Sequence, residues 1–442
     1  ASRNNPLAVH PAVGVIRLTP LSMNIPRLFA FTLISALSAG AAHAASAPRP
    51  VSFEKLTLTS EYWCDGVNAA DINGDGKMDV VAGPFWYAGP DFKTRHAFYE
   101  PVQQELEKTP TNSMFSFIAD FNGDGRPDIL VLGRVLHHQA FWYENPGAAE
   151  ATKPDARWKK HFVANRVFGE APLFTDIDGD GKPELISISG ETAADKVKQW
   201  GWYAPNWAEP SKPWKFVPVT AKAEFNHYYH GEGVGDINGD GRADLVLNEG
   251  WWEQPPKNSP PGTLWKKHAF TFSSDRGGAQ ILVTDVNGDG KADIVTALNA
   301  HGWGLAWFEQ KRDATGALTF VEHKMMGTRE EEKKYGVAFS QPHALTLADL
   351  NGDGLPDVIT GKRRWAHGPT GDVEPMATPV NYAFLLRRDA SAPGGARFIP
   401  QLIDDASALG TQVEAIDVNG DGIPDTLTAS KLGVFVFLTK RK

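Results

Sequence analysis

Between Phe115 and Leu132 the chain reads as a small apolar run (Phe115-Ser116-Phe117-Ile118-Ala119), a polar loop, and a β-rich run (Asp128-Ile129-Leu130-Val131-Leu132). Short apolar runs of this length, bounded by Gly, Pro and Asn, predict strands. An aromatic run follows, Phe141-Trp142-Tyr143-Glu144-Asn145-Pro146, and then a fourth of the form Trp-Lys-Lys-His-aromatic, Trp158 to Phe162. The order recurs along the chain. Further aromatic strands are Gly201-Trp202-Tyr203, Trp251-Trp252-Glu253 and Leu305-Ala306-Trp307-Phe308-Glu309, and a further fourth strand runs from Trp265 to Phe270. No amphipathic helix of useful length interrupts the pattern. Four short strands per unit, repeated, predict the blades of a β-propeller.

The loop between the first two strands of each unit has one pattern. It reads DINGDGKMD from Asp71, DFNGDGRPD from Asp120, DIDGDGKPE from Asp176, DINGDGRAD from Asp236, DVNGDGKAD from Asp285, DLNGDGLPD from Asp349 and DVNGDGIPD from Asp417. The starts lie 49, 56, 60, 49, 64 and 68 residues apart, the period of a structural unit. Positions 1, 3, 5 and 9 carry oxygens. They are Asp71, Asn73, Asp75 and Asp79; Asp120, Asn122, Asp124 and Asp128; Asp176, Asp178, Asp180 and Glu184; Asp236, Asn238, Asp240 and Asp244. The last three loops offer Asp285, Asn287, Asp289 and Asp293; Asp349, Asn351, Asp353 and Asp357; Asp417, Asn419, Asp421 and Asp425. Ca²⁺ takes six to eight oxygens at about 2.3–2.6 Å, which these side chains, the carbonyl of position 7 and water can supply. An EF-hand is excluded, because position 12 lacks its bidentate Glu and holds residues such as Ala82, Val131 and Thr296 inside strand-like runs.

The strand count predicts its own closure. After the seventh loop come an exit strand, Thr426–Ser430, and one more, Gly433–Thr439, so that blade lacks an outer strand. Ser52 to Leu58, ahead of the first loop, is a spare one. Pairing the two would leave no free edge at the seam. The expected fold is therefore an all-β, seven-bladed propeller over residues 45–442, with a calcium loop in every blade and closure by exchange of N- and C-terminal strands.

Composition changes this picture in three places. A hydrophobic content of 42% is ample for a core, and a formal charge of −9 argues against a nucleic-acid partner. The single cysteine, Cys64, rules out an intrachain disulfide and reads as a small buried thiol. Met23 to Arg27 forms a basic n-region, Leu28 to Leu37 an apolar h-region, and Ala42-His43-Ala44 a small-x-small cleavage site. Residues 23–44 thus read as a signal peptide and 1–22 as an upstream extension. The apolar run is too short for a comfortable membrane span, and the expected location is secreted or periplasmic.

The DxNGDGxxD loops resemble the FG-GAP, or VCBS, repeats of integrin α-subunit propellers and of many bacterial secreted proteins. The resemblance covers nearly all of residues 51–442. It implies the fold and bound calcium, and says little about function.

In such a fold the lead-ins to the first strands and the turns between second and third strands share the face opposite the calcium loops. Here the lead-ins collect Asp65, Asn112, Glu170, His227, His230, Glu232, His343 and Gln412, and the turns Arg134, His137, His138, Glu191, Glu249, Asn299, His301, Lys362, Arg363, Arg364 and His367. His137, His230, His301 and His343, with a carboxylate such as Glu249 or Glu232, are candidate ligands of a second metal, Zn²⁺ or another divalent ion with an open position. Glu249 or a free histidine is the candidate base, with Arg363, Lys362 and Arg134 to steady developing charge and His343 as a catalytic residue. Trp86, Trp251, Trp252, Trp303 and Trp365 are candidates for stacking on sugar rings. The outer-strand His96, His161, His268 and His323 recur with the repeat and read as structural.

The stretches HYYHGEGVGDINGDG and SQPHALTLADLNGDGLPDVITGKRRWAHG are similar to the propeller domain of aldos-2-ulose dehydratases, lyases of keto-sugars such as 1,5-anhydrofructose. That family adds cupin-type domains, which residues up to Lys442 do not include, so only chemistry housed in the propeller is implied. Two readings result: a metal-assisted lyase acting on a keto- or anhydro-sugar, or a non-catalytic propeller that binds carbohydrate or protein. Irregular turns, unlike repeated lectin sites, favour the first. The sequence sets no oligomeric state.

Overall fold

A computed structural model describes residues 50–107, 111–133, 139–190, 196–226, 228–274 and 277–441. The described residues form seven antiparallel sheets in a seven-bladed β-propeller. Blade 1 comprises Val67–Ala70, Asp79–Ala82, Phe85–Ala88 and Thr94–Ala97, and blade 2 Phe115–Ala119, Asp128–Leu132, Ala140–Glu144 and Lys159–Ala164. Blades 3 to 6 repeat the order over 168–218, 232–269, 282–326 and 342–404. In blade 3 a two-residue strand, Ala223–Glu224, also pairs with the third strand. Blade 7 takes Val413–Ile416, Asp425–Ser430 and Gly433–Arg441 from the end of the chain, and its fourth strand is Val51–Thr59. That strand runs antiparallel to Gly433–Arg441 in a register from Val51↔Arg441 to Thr59↔Val434.

The core is divided among the interfaces between blades. Seven apolar clusters occur among the described residues, and each joins two neighbouring blades. Ile72, Val81 and Trp86 of blade 1 pack on Ile129, Val131 and Tyr143 of blade 2. Val67 and Val80 of blade 1 pack on Leu427, Val434 and Val436 of blade 7. As many interfaces as blades means a closed ring, in which every sheet is covered on both faces. Second strands accordingly read as continuous apolar runs, and Asp128–Leu132 is buried throughout.

The third and fourth strands explain the repeated histidines. His161 stacks on Trp142 at 3.9 Å and bonds Glu144 at 2.7 Å. His268 sits likewise on Trp251 and Glu253, and His323 on Trp307 and Glu309. His96 stacks on Trp86 at 4.5 Å. Each is a cross-strand pair, so these histidines support the sheets. The Trp86, Trp251, Trp252 and Trp365 side chains, expected near exposed turns, are buried instead, the first three because both faces of each sheet are covered and Trp365 in the connection of blade 6. Trp303 alone of the five is partly exposed, under the Arg329 guanidinium at 5.4 Å.

Inner strands surround a channel of about 320 Å³ lined by Asn68, Phe117, Gln280, Leu345, Gln412 and Glu414 among others. Gln412 spans blades, its Oε1 accepting from the N–H groups of Val67 and Ser116. Among the described residues no helix is long and apolar enough to cross a membrane. Residues 1–44, with the expected signal peptide, lie outside the described residues, as do Arg134, His137, His138, Glu191 and His227.

Candidate functional site

The seven acidic loops all join first to second strands and so share one face. Each ends where the second strand begins: Ala70 pairs with Asp79, Ala119 with Asp128 and Thr284 with Asp293. The first aspartate organises the turn. In the fifth loop Asp285 Oδ1 accepts from Gly288 and Asp289 N–H, and Oδ2 from Gly290. Asn287 Oδ1 accepts from Asp289 N–H, and Asp289 Oδ1 from Lys291 N–H. Gly74 and Gly76 have φ of +72° and +82° with open space where a Cβ would stand, so the left-handed backbone, and not crowding, selects glycine. In the third loop Asp176, Asp178 and Glu184 place ligand atoms within 4.8 Å of one another.

Position 9 differs from the others. Asp293 is fully buried, its Oδ2 accepting from Val286 N–H at 3.0 Å and its Oδ1 from Gln310 N–H at 2.8 Å. Asp79, Asp128, Asp244, Asp357 and Asp425 make the same pair of bonds, to the loop's second residue and to the third strand. The sequence suggested one task for these carboxylates, holding an ion. In the fold each also ties its loop and its own second strand to the end of the third strand.

On the opposite face side chains from several blades converge on the axis. His230 Nε2 lies 3.1 Å from His343 Nε2 and 3.2 Å from His301 Nε2. Glu170 Oε2 lies 3.4 Å from His230 Nε2 and 3.3 Å from His343 Nε2. These four residues come from blades 3, 4, 5 and 6, and their ligand atoms all fall within 4.8 Å of one another. Blade 6 also supplies Arg363, whose Nη1 reaches His343 Nε2 at 2.8 Å and Glu170 Oε2 at 3.4 Å, while Nη2 donates to Asp65 at 3.4 Å. Tyr62 donates to Asp65 at 3.2 Å, and Lys431, from blade 7, donates to the Tyr62 hydroxyl at 3.2 Å.

Local irregularities aim these groups. Glu170 sits where the register of blade 3's inner strand slips between Phe168 and Leu173, and His343 where that of blade 6 slips between Pro342 and Leu345. Bulges turn side chains that a regular pleat would send into the blade interfaces toward the axis. Next to His230, Gly231 has φ +82° and a Cβ there would stand 2.1 Å from Asn248 Oδ1. His301 is set by Asn299, whose Oδ1 accepts its N–H at 2.9 Å. Backbone bonds tie the lead-ins together: Glu170 N–H to Tyr229, Gln341 N–H to Gly302 and Arg363 N–H to Gln341.

Burial sets the electrostatics. His343 and His230 are 0% and 1% exposed, and His301 opens to solvent at 18%. Burial, then the Arg363 guanidinium, pushes the His343 imidazole well below its usual range; burial also lowers His301. Burial opposes ionisation of Glu170, yet His230 and His343 outweigh it and hold the carboxyl well below normal. Burial brings Lys431 down to about 8. Neutral His343 and His301 imidazoles beside an ionised Glu170 are protonation states a divalent cation requires.

Three expectations are corrected. Glu249 does not join the cluster, because its carboxylate is held by the Tyr229 hydroxyl; Glu170 takes that place. Lys362 is buried away from the histidines, with Nζ donating to Ser340 Oγ at 2.9 Å. Glu232 is buried with Oε1 unpartnered, and burial pushes its carboxyl up. His137 and Arg134 lie outside the described residues. Tyr62, Asp65, Asp372 and Lys431 were not legible as one constellation; only their place in lead-ins and second-to-third turns could have flagged them.

Residues 120–187 and 285–360 match the FG-GAP-like repeat. Over 155 residues the chain is 28% identical to Cartilage acidic protein 1 of Xenopus tropicalis, a stretch covering 30% of this chain and 22% of that protein. Three solved structures are similar over most of the chain. With BBS1N, solved in complex with ARL6DN, identity is 9%, coverage 88% and 96%, and TM-score 0.42. With rhamnogalacturonan lyase YesW the values are 13%, 89% and 74%, and 0.41, and with the V. cholerae biofilm matrix protein Bap1 they are 11%, 89% and 84%, and 0.37. Likeness at this level says nothing about chemistry. The repeat match and the sheet topology agree on one conclusion: this chain carries FG-GAP-like repeats folded as a seven-bladed β-propeller.

Proposed function

We propose that this is an extracytoplasmic propeller, stabilised by calcium on one face, whose axial His₃Glu cage on the other face holds a zinc-type divalent ion for lyase chemistry on a keto- or anhydro-sugar. One observation carries the metal. Four ligand atoms held 2.0–2.1 Å from a common centre in a tetrahedron stand about 3.3–3.4 Å apart. Four of the six separations, 3.1 and 3.2 Å between Nε2 atoms and 3.3 and 3.4 Å to Glu170, lie close to those edges, and His301 is within 4.8 Å of both His343 and Glu170. Glu170, His230, His301 and His343 would be the ligands, and the bound ion, by taking a fifth ligand, would supply Lewis-acid polarisation of a substrate carbonyl. Arg363 donates to Glu170 and offers positive charge where an enolate would develop, and its contact to His343 Nε2 would be given up when that lone pair goes to the ion. Lys431, at about 8 and bonded to Tyr62, replaces Glu249 as the candidate base. The sugar class rests on the dehydratase-like stretches around His230 and His343.

A second reading has its own support. Four protein ligands are the closed set of structural zinc sites, and the cage is almost wholly buried. The ion would then pin the blades together in a propeller that binds carbohydrate or protein.

The test is metal analysis of the chain after dialysis against EGTA, with enone absorbance followed on a panel of keto- and anhydro-sugars. Retained zinc with turnover supports the lyase; retained zinc without turnover supports the pinned binding propeller; no transition metal refutes both. Calcium at the acidic loops has a separate test. At about ten times Kd each site contributes about 1.4 kcal/mol, and seven sites about 10 kcal/mol, so EGTA should lower Tm sharply. A melting curve indifferent to EGTA would contradict it.

A further inference from the structure

Within the proposed cage the three histidines are not equivalent. His230 Nδ1 and His343 Nδ1 are buried with no hydrogen-bond partner among the described residues. His301 Nδ1 is also unpartnered at bonding distance, but it faces Asp372 Oδ1 at 3.6 Å. The Asp372 carboxylate is 2% exposed. Its Oδ2 accepts from Ala366 N–H at 2.6 Å and His367 N–H at 2.9 Å, which fixes the orientation of the group. Oδ1 is 2.7 Å from His367 Nδ1 and 3.6 Å from His301 Nδ1, with a lone pair still available for the second.

Asp372 lies in residues 363–380, between the second and third strands of blade 6. This connection is anchored on both sides of the aspartate's neighbours. Val373 O accepts from Ser340 Oγ at 2.8 Å and Gln341 Nε2 at 2.9 Å, and Glu374 pairs with Arg329 at 2.8 Å. Trp365 Nε1 donates to Leu106 O at 3.3 Å.

We propose that Asp372 is a positioning residue for the axial cage: it holds the proton of His301 on Nδ1, so that the Nε2 lone pair faces His230 and the centre. This rests on the metal reading above. Carboxylates behind metal-bound imidazoles fix tautomer and ring orientation, and their loss typically costs 10–100-fold in affinity. His301 is the ligand that needs such a hold, because it is the exposed one and sits on a turn. His230 and His343 are held by burial, with no partner on Nδ1 among the described residues. His367, 53% exposed, shares the same carboxylate oxygen without being required for the cage.

The experiment measures Zn²⁺ affinity of the full chain by competition with a chromophoric chelator, and records the visible spectrum of the Co²⁺ form. Asp372→Ala should weaken zinc 10–100-fold and shift the Co²⁺ ligand-field bands. Asp372→Asn, whose amide oxygen still accepts from Nδ1, should fall between it and the parent. His367→Ala should stay within about twofold of the parent. All three should keep the parent's EGTA-induced drop in Tm, Asp372→Ala from a starting Tm lowered by loss of the acceptor for Ala366 and His367 N–H, which separates positioning from misfolding. Equal zinc affinity in the parent and Asp372→Ala overturns the inference and leaves the cage standing. A second zinc per chain, lost in His367→Ala, overturns it by making His301, His367 and Asp372 a site of their own. A parent that takes up no zinc overturns the cage and the inference together.

Discussion

Replacing Asp293 by Ala tests whether the ninth loop position is a clasp in its own right. The carboxylate is fully buried and accepts two backbone N–H groups, from Val286 and Gln310. Removing it leaves both donors buried and unsatisfied, at about 1–3 kcal/mol each. Burial pushes the Asp293 carboxyl up to about 6, so holding it ionised already costs something, and the lower half of that range applies, about 2–4 kcal/mol. With an unfolding entropy of about 2.1 cal/mol/K per residue over roughly 390 residues, Tm should fall by about 2–5 °C. The comparison is Asp289→Ala, at the exposed fifth position of the same loop, whose carboxylate bonds only Lys291. Scanning calorimetry with calcium and with EGTA gives four values. The Asp289→Ala deficit should vanish in EGTA, where there is no ion to lose, and the Asp293→Ala deficit should persist. An Asp293→Ala deficit that also disappears in EGTA would refute the clasp and return position 9 to ion binding alone.

Further outcomes follow from the same geometry. His343→Ala should abolish bound transition metal, read by elemental analysis, while leaving calcium-dependent melting unchanged, because His343 touches only the axial cluster. His161→Ala should cost about 1–2 kcal/mol in denaturant titration through loss of the Trp142 stack and the Glu144 bond, with no effect on metal content. Burial pushes Glu414, in the channel, up to about 7, although Gln412 Nε2 donates to it at 2.8 Å. A raised carboxyl is stabilising while protonated, so stability should fall as pH rises from about 4.5 to about 7. Glu414→Gln should flatten that fall, a difference of about 2 kcal/mol after allowance for channel water; an unchanged pH profile would count against it.

How much of the site could be read from the residues depends on what each position required. Strand order alone places lead-ins and second-to-third turns on one face, so His230, His301 and His343 could be expected together, and they meet. Choosing among carboxylates needed more. Glu249 and Glu170 both lie on that face, but a register slip aims Glu170 at the axis while Tyr229 takes Glu249. Lys362 and Arg363 are adjacent, and alternation sends one to Ser340 and the other to His343. Asp65, from the first blade, and Lys431, from the last, meet through Tyr62 only because the ring brings its two ends together.

By itself the sequence determined the repeat: a loop whose nine positions set their own turn through local hydrogen bonds, followed by strands whose composition suits burial on both faces. Those are interactions between residues a few positions apart, and a linear pattern records them. Only the tertiary structure decided which polar groups share the axis, because that depends on bulges of one residue and on contacts between blades more than a hundred residues apart, as between His230 and His343.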